Sequence, residues 1–385
     1  MMTNLAARIL REWPGEAEVK RLYGHLPVEK QPLVVVQQDE SVFYSNDRTW
    51  RGFHESSVGK PIRPKTLGKS LMISLYCDEL QGVWADEVAR LEVGKGNYWN
   101  NEKHMEHLIR VFALRKRLYP HCQVLWVFDN SGGHTKRAPN ALNAYGMNVK
   151  PGGKQPALRD TVWNGQLQTM VYTQTEAAAL DEPELAGLPK GLKAVLKERG
   201  LYKDGMTRKN KETSLDMRSV LQSCDDFRNE NSILEKWLKD RGDLVAFSPR
   251  YHCELAAPER VFAKLKAHTR ALSSGRFDAL KRNIDAALAT VSIDDVRRYV
   301  ALTRRFLDAY RAQLPILQVF AAARTNSPHC YRSHRRPAAS CGLRGIWLSR
   351  RCLPPPTTPW LNVIAPPAPS VQRWCRCHCR RRWWR

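Results

Sequence analysis

The sequence predicts an α/β fold, in which a mixed sheet is flanked by helices, for most of the 385-residue chain. Two observations predict it. Short apolar runs rich in β-branched residues recur along the chain, and such runs are typical of buried strands. Between them lie segments whose apolar residues repeat every three or four positions, as in amphipathic helices. Alternation of these two patterns favours a sheet with helices packed on its faces.

The strands are predicted in order along the chain. Residues 33–38 (LVVVQQ) begin with a compact β-branched run, and a shorter run at 41–43 follows an acidic pair. Residues 70–76 (SLMISLY) and 123–128 (QVLWVF) are the next strands, and 244–247 (LVAF) is a short final one. Each run is of strand length and ends in polar or turn-forming residues.

Helices are predicted between and after these strands. A helix follows Asn100, whose side chain is suited to cap it, and another begins at about Pro258. The last helix begins at Ser292, which has an acidic residue three positions later, as in a capping box. Between the first two of these helices, residues 146–205 are predicted to be mostly loop with a short helix at 192–199, and residues 216–241 to form one or two helices.

The net charge of +24 limits the class of partner. A field of this sign favours polyanions, with nucleic acid first and an acidic membrane surface second. The chain contains no apolar stretch approaching about 18 residues, so no transmembrane helix is predicted. Residues 1–14 contain no long apolar segment, which argues against a secretory signal.

The last 61 residues, 325–385, differ in composition from the rest. They contain 12 Arg and six Cys but no Lys, Asp or Glu. We consider three interpretations: a basic nucleic-acid-binding extension, a metal cluster around 375–379 (CRCHC), or an out-of-frame or unspliced stretch of GC-rich coding DNA. The composition favours the third. Under each interpretation the tail is predicted to be disordered, because it has too little patterned apolar surface to offset chain entropy.

Three acidic residues are candidates for chemistry. Asp39 follows the strand at 33–38, Asp129 follows the strand at 123–128, and Glu259 lies at the start of a helix. Such positions can converge on one side of a sheet, and carboxylate oxygens are the ligands that Mg²⁺ prefers. Two such ions about 3.5–4 Å apart can stabilise the attacking and leaving oxygens of a phosphodiester. An Asp at a strand end is also a common turn former or helix cap, so spacing alone leaves both readings open.

The motifs around these residues supply a context. Residues 39–43 read DESVF, 127–134 read VFDNSGGH, and 248–259 read SPRYHCELAAPE, with KLK following at 264–266. In this order they resemble the DDE transposase superfamily, and most closely its mariner-like branch with the fungal transposon-derived group. The resemblance covers roughly residues 32–314.

The resemblance implies a fold and an activity. The fold would be a ribonuclease-H-like mixed sheet with flanking helices over residues 31–314 and a long insertion, at about 150–243, before the last catalytic helix. Asp39, Asp129 and Glu259 would bind Mg²⁺ or Mn²⁺ and cleave or transfer DNA strands. DNA would be the partner, the location nuclear, and a homodimer is a candidate assembly; no membrane association is implied.

The sequence departs from the family pattern in two places. Family members usually carry Asn at the position of Ala256 and an apolar residue at that of Pro258; loss of the Asn side chain is expected to loosen the site. Proline is tolerated in the first turn of a helix, so Glu259 can still be presented there. The segment 1–30 is too short to contain the paired helix-turn-helix region of such transposases, and we interpret it as a truncated N-terminal remnant.

Further residues are assigned with less specific signals. Asn130 and His134 are candidate accessory residues of the metal site, whereas Glu40 is expected to be a solvated carboxylate rather than a spare ligand. Arg110 and the basic run 115–117 are predicted to be a solvated face. Candidate DNA-backbone contacts, which equally fit a solvated basic face, are Lys264, Lys266, Arg270 and Arg276.

Two alternatives to a nuclease stay open at this stage. One is a non-catalytic module that binds DNA or protein with the same fold. The other is a truncated transposon relic without a selected function.

Overall fold

The computed structural model of the chain describes residues 8–48, 65–94 and 96–325. Residues 326–385 of the predicted tail lie outside the described residues. The described chain divides into two compact units: one contains the residues up to His134 and from Leu238 onward, and the other is Thr135–Trp237. No helix in these ranges is both long enough and apolar enough to cross a membrane.

The described elements follow one another along the chain as alternating strands and helices. The strands are β1 (Leu33–Tyr44), β2 (Ser70–Asp78), β3 (Gly82–Val83), β4 (Ala89–Val93), β5 (Gln123–Phe128), β6 (Thr161–Trp163), β7 (Gln166–Gln168) and β8 (Leu244–Phe247). The helices are α1 (Glu16–Tyr23), α2 (Asn101–Leu118), α3 (Gln174–Ala179), α4 (Leu192–Glu198), α5 (Met217–Ser223), α6 (Asp225–Arg228), α7 (Ile233–Lys239), α8 (Ala257–Ala271), α9 (Phe277–Ala289), α10 (Ile293–Arg311) and α11 (Ile316–Thr325).

The first unit is built on a mixed sheet with the strand order β3-β2-β1-β5-β8, and β4 pairs with the outer edge of β2. β1 is antiparallel to β2 but parallel to β5, and β5 is parallel to β8. Helices lie against this sheet, so the predicted α/β class with a mixed sheet and flanking helices is confirmed. The predicted caps are also found: Asn100 accepts from the N–H of Lys103, and Ser292 and Asp295 form a capping box.

The first strand is longer than predicted. The prediction ended it at residue 38, whereas β1 continues to Tyr44. The reason is its partner: β2 pairs with β1 from Gln37 to Tyr44, but β5 pairs with it only as far as Gln37. Asp39 therefore lies inside a strand, at the point where the parallel neighbour has ended.

The two faces of the sheet have different coverings. Side chains alternate along a strand, so Asp39 shares a face with Phe43. This face packs against α8, α9 and α10 in a buried apolar cluster that includes Phe43, Leu71, Ile73, Leu75, Val261, Phe262, Leu265, Leu280, Ile284 and Val296. On the opposite face the ring of Tyr76 contacts that of His107 in α2, with centroids 5.2 Å apart.

The C-terminal half of α2 is held by a buried ion pair. Arg115 was predicted to be solvated, and this prediction is wrong. Its guanidinium donates to Asp243 Oδ1 at 2.6 Å and to the Cys122 carbonyl at 2.7 Å. Asp243 also accepts from the N–H of Val124 and from the indole of Trp126. Asp243 lies 128 residues away in sequence, so no local pattern could reveal this pairing.

The second unit has a core of its own. Its short helices α3–α6 and the β6–β7 hairpin surround Leu142, Met147, Leu158, Met170, Leu192, Val195, Leu196, Met217, Leu221 and Phe227. The buried Lys190 ammonium lies 2.7 Å from Glu176 and 2.9 Å from Glu198, so its charge is compensated. The region predicted to be mostly loop thus contains α3 and a hairpin in addition to α4, which lies where the short helix was predicted.

Substitution of Arg115 by Met should lower the free energy of unfolding by about 3–5 kcal/mol, because Asp243 would be left buried without its counter-ion. The exposed neighbour Arg117 is the matched control, and Arg117→Met should change stability by less than about 0.5 kcal/mol. Urea denaturation followed by circular dichroism measures both. Equal stability of the two variants would contradict this role of the ion pair.

Acid should destabilise the protein partly through His107. Burial lowers its pKa to about 4, although the hydrogen bond to the Glu87 carbonyl opposes the shift. The unfolded chain therefore takes up a proton between pH 6.5 and 4 that the folded chain does not, so stability falls as the pH falls through this range.

His107→Gln keeps a donor for Glu87 but does not titrate. Between pH 7 and pH 4 the variant should lose about 2–3 kcal/mol less stability than the wild type. His25→Gln, at an exposed position, is the control and should show the wild-type pH dependence. If denaturant titrations give all three proteins the same pH dependence, the assignment to His107 is wrong.

Candidate active site

A pocket of about 530 Å³ lies at the carboxyl ends of the parallel strands of the first unit. All three predicted carboxylates, Asp39, Asp129 and Glu259, line it. The other lining residues include Gln37, Gln38, Asn130, Ser248, Arg250, Tyr251, His252, Cys253 and Ala256. Crevices at the carboxyl ends of parallel strands are where open α/β sheets commonly bind ligands. The structure therefore brings together Asp39 and Glu259, which are 220 positions apart in the chain.

The register of the sheet places two of the carboxylates side by side. Gln37 of β1 is paired with Val127 of β5, and Asp39 and Asp129 each lie two residues further along. Parallel neighbours are about 4.8 Å apart, so the two residues lie next to each other where β5 ends, and both line the pocket. Asp39 is buried, at 9% exposure, whereas the Asp129 side chain is 48% exposed. One carboxylate of the pair is therefore buried, and the other is in contact with solvent.

The third carboxylate is presented by the first turn of α8. Glu259 is the third residue of that helix, and the N-cap Ala256 provides no side-chain cap. Instead the N–H of Ala257 donates to Gln37 Oε1 at 2.7 Å, in a buried hydrogen bond. This bond ties the start of α8 to β1, two residues before Asp39. The sequence alone did not single out Gln37, since a glutamine in a strand carries no signal of this role.

The electrostatics of the pocket favour a cation. Burial and the nearby carboxylates of Glu259, Glu40 and Asp129 raise the pKa of Asp39 well above its ordinary value. Burial likewise raises the pKa of Glu259, although Lys266 and Arg260 oppose the shift. Oxygen donors that repel one another in a partly buried pocket suit a hard divalent ion such as Mg²⁺ or Mn²⁺. The residues present therefore fit the metal that the resemblance implies.

Glu40 and His134 lie behind these carboxylates. The prediction that Glu40 is solvated is wrong: its side chain is 11% exposed and points to the face opposite Asp39. His134 bridges Glu40 and Asp129. Burial alone would lower the pKa of His134, but its hydrogen bonds with Asp129 and Glu40 outweigh this and raise the pKa to about 10. Asn130, the other candidate accessory residue, lines the pocket.

The predicted DNA-contacting residues divide into different environments. Lys264 Nζ lies 2.6 Å from both the Thr290 carbonyl and Asp295 Oδ2. This ammonium therefore connects α8 to the first turn of α10. Lys266, two turns after Glu259, lies over the ring of Phe43 at 5.6 Å. Arg270 donates to Asp47 at 2.9 Å, and Arg276 is exposed at the start of α9.

The fold and this pocket define an α/β protein in which three carboxylates line a pocket at the carboxyl ends of its parallel strands. No protein-family profile matches the chain, and no curated protein matches its sequence. Among solved structures, the fold is similar to that of the Mos1 mariner paired-end complex with Mn, with 13% identity, a TM-score of 0.37 and coverage of 69% of this chain and 51% of that one.

Two further Mos1 complexes are similar to a comparable degree. The strand transfer complex has 12% identity, a TM-score of 0.34 and coverage of 71% of this chain and 52% of that one. The pre-cleavage transpososome has 15% identity, a TM-score of 0.35 and coverage of 69% and 51%. The chain therefore spans about half the length of these structures. At these identities and TM-scores the likeness concerns the fold alone.

Replacement of Gln37 by Met removes the acceptor for the Ala257 N–H while keeping the length of the side chain. We expect a loss of about 1–3 kcal/mol in unfolding free energy, because a buried N–H would lose its partner. Gln81→Met, at an exposed position of the same unit, should be neutral within about 0.5 kcal/mol. Guanidinium denaturation compares them, and a Gln37→Met protein as stable as Gln81→Met would contradict the anchoring role.

Proposed function

We propose that this chain is a metal-dependent DNA-processing protein of the DDE transposase type, which cleaves phosphodiester bonds or transfers DNA strands. The observation that carries the proposal is the convergence of Asp39, Asp129 and Glu259 on one pocket. The strand order β3-β2-β1-β5-β8, with an antiparallel half followed by two parallel strands, agrees with the ribonuclease-H-like core that the sequence resemblance implies, and it supports the proposal.

The roles of the three carboxylates follow from their positions. Asp39 on β1, Asp129 directly after the parallel strand β5, and Glu259 from the first turn of α8 would hold the metal ions. Two divalent ions, when bound, polarise the phosphoryl oxygens and activate the attacking water or 3′-hydroxyl. The protein's own contribution is to keep three like charges in register despite their repulsion. Pairing of β1 with β5 and the Gln37 bond to α8 perform this function.

The charge distribution supports DNA as the substrate. Fifty of the 62 basic residues lie before residue 325, against all 38 acidic ones, so this part of the chain is basic without the tail. Lys266, Arg270 and Arg276 follow Glu259 along α8 and into α9, where a phosphate backbone that enters the pocket would pass. Lys264 and Arg270 already pair with Asp295 and Asp47, so a phosphate contact by either would replace an ion pair within the protein. The proposal extends to a nuclear location, and the expected homodimer stays a prediction.

The proposal is tested by nicking of supercoiled plasmid by the full chain in Mg²⁺ or Mn²⁺. Asp129→Asn should reduce the rate by roughly two to three orders of magnitude, since charge stabilisation by a bound metal is worth several kcal/mol. Asp86→Asn, at an exposed position of the same unit, is the matched control and should nick at the wild-type rate.

DNA affinity separates the proposal from a non-catalytic binding module. Affinity should survive Asp129→Asn and fall with salt, by about one log–log slope unit for each phosphate contacted. Nicking by Asp129→Asn at the wild-type rate would overturn the catalytic assignment. Salt-sensitive DNA binding by a wild-type protein that does not nick in either metal would favour the binding module instead.

A further inference from the structure

A buried polar cluster lies behind the pocket, on the face of the sheet that α2 covers. Its centre is the Glu40 carboxylate, on which four donors converge. Gln38 Nε2 lies 2.7 Å and Trp99 Nε1 lies 2.9 Å from Glu40 Oε1, and ring nitrogens of His104 and His134 each lie 3.3 Å from it. A buried carboxylate is costly unless it is hydrogen-bonded and paired, so this arrangement holds Glu40 in one position.

His134 connects this cluster to the pocket. One ring nitrogen, Nε2, faces Glu40, and the other, Nδ1, contacts Asp129 Oδ1. The same Nδ1 lies 3.1 Å from Ser131 Oγ and 3.2 Å from the Asp129 carbonyl. The ring is buried between Phe128 and His104, with centroids 5.4 and 4.4 Å away. Its orientation is therefore set by packing on its faces and by polar contacts at both nitrogens.

Asp129 is the member of the carboxylate set that needs such support. It follows the last residue of β5, outside the strand ladder, and about half of its side chain is exposed. An exposed carboxylate on a loop can rotate about its side-chain bonds, and each additional rotamer reduces the fraction of molecules ready to bind an ion. Asp39, by contrast, lies inside β1 and is buried.

We propose that His134 is a positioning residue that holds Asp129 in one orientation, with Glu40 as the anchor behind it. The proposal rests on the function proposed above, because it assigns Asp129 to the metal site. Groups that orient a metal ligand from behind typically change metal affinity 10–100-fold when they are removed. The adjacent residues Asp39 and Glu40 would thus serve one site from the two faces of β1.

The central experiment compares two substitutions of His134, each of which keeps a nitrogen near the position of one of the two ring nitrogens. His134→Asn retains a nitrogen near the position of Nδ1, which contacts Asp129, whereas His134→Gln retains one near Nε2, which faces Glu40. The full chain is titrated with Mn²⁺, and binding is followed by calorimetry and by the paramagnetic resonance signal of free Mn²⁺. We expect His134→Gln to bind Mn²⁺ about 10–100-fold more weakly than wild type, and His134→Asn, which keeps the contact to Asp129 but loses the one to Glu40, to fall between His134→Gln and wild type.

Three further variants separate the possible failures. Asp129→Ala should lose Mn²⁺ binding, and if it binds as wild type does, the metal site itself is wrong. If Asp129→Ala loses binding while His134→Gln and His134→Asn bind equally, the positioning role is overturned. Glu40→Gln should weaken binding to about the same degree as His134→Asn, because both lose the anchor and keep the contact to Asp129, whereas His25→Gln should bind as wild type does. Thermal unfolding of every variant identifies any that do not fold, and the comparison of the Asn and Gln variants then decides.

A different use of the same cluster is also tested. One ligand atom from each of Glu40, His104 and His134 lies within 4.8 Å of the others, so these residues could hold an ion themselves. Mn²⁺ or Zn²⁺ binding that persists when Asp39, Asp129 and Glu259 are all replaced by Ala, and that disappears on further replacement of His104, would identify such a site. That result would overturn the positioning role of His134.

Discussion

The hydrogen bond from the Ala257 N–H to Gln37 connects the two parts of the first unit on which the pocket depends. Gln37 in the central strand and Ala257 in the helix that carries Glu259 are 220 residues apart in the chain, and the second unit lies between them in sequence. Apolar packing of Val261, Phe262 and Leu265 holds the helix on the sheet, but such packing is not directional. A buried hydrogen bond at the first turn is directional, so it fixes where along the sheet the helix begins. The position of Glu259 relative to Asp39 follows from it.

A second constraint is the concentration of negative charge in a partly buried place. Burial, together with the carboxylates of Glu259, Glu40 and Asp129, raises the pKa of Asp39 well above its ordinary value. The repulsion is reduced because the charges are divided between the two faces of β1. Glu40 is satisfied by the donors around it on one face, whereas the three remaining carboxylates surround a pocket that a cation can enter. Such an arrangement is less stable than an apolar one would be, as expected for a site shaped by function.

Several features of the fold and of the candidate site were predictable from local sequence. Asn100 and Ser292 were recognisable as caps because capping depends on residues within one helical turn. The carboxylates were recognisable because they lie next to apolar runs and within motifs that resemble one family. Arg115 and Glu40 were misjudged, since a charged residue in a mixed sequence is normally solvated. The partner of Arg115 is Asp243, and the histidine partners of Glu40 are His104 and His134. All three lie far away in the chain.

The sequence by itself therefore determined the α/β class, the main strands, the caps and the three candidate carboxylates. Each of these depends on the spacing of apolar residues, or on the residue types, within a short segment of the chain. Only the tertiary structure decided that β1 continues past Asp39, that Gln37 anchors α8, and that His134 links Glu40 to Asp129. The physical reason is the same in each case. Strand pairing beyond a neighbour's end, buried hydrogen bonds and paired charges are all set by partners that only the folded chain brings into contact.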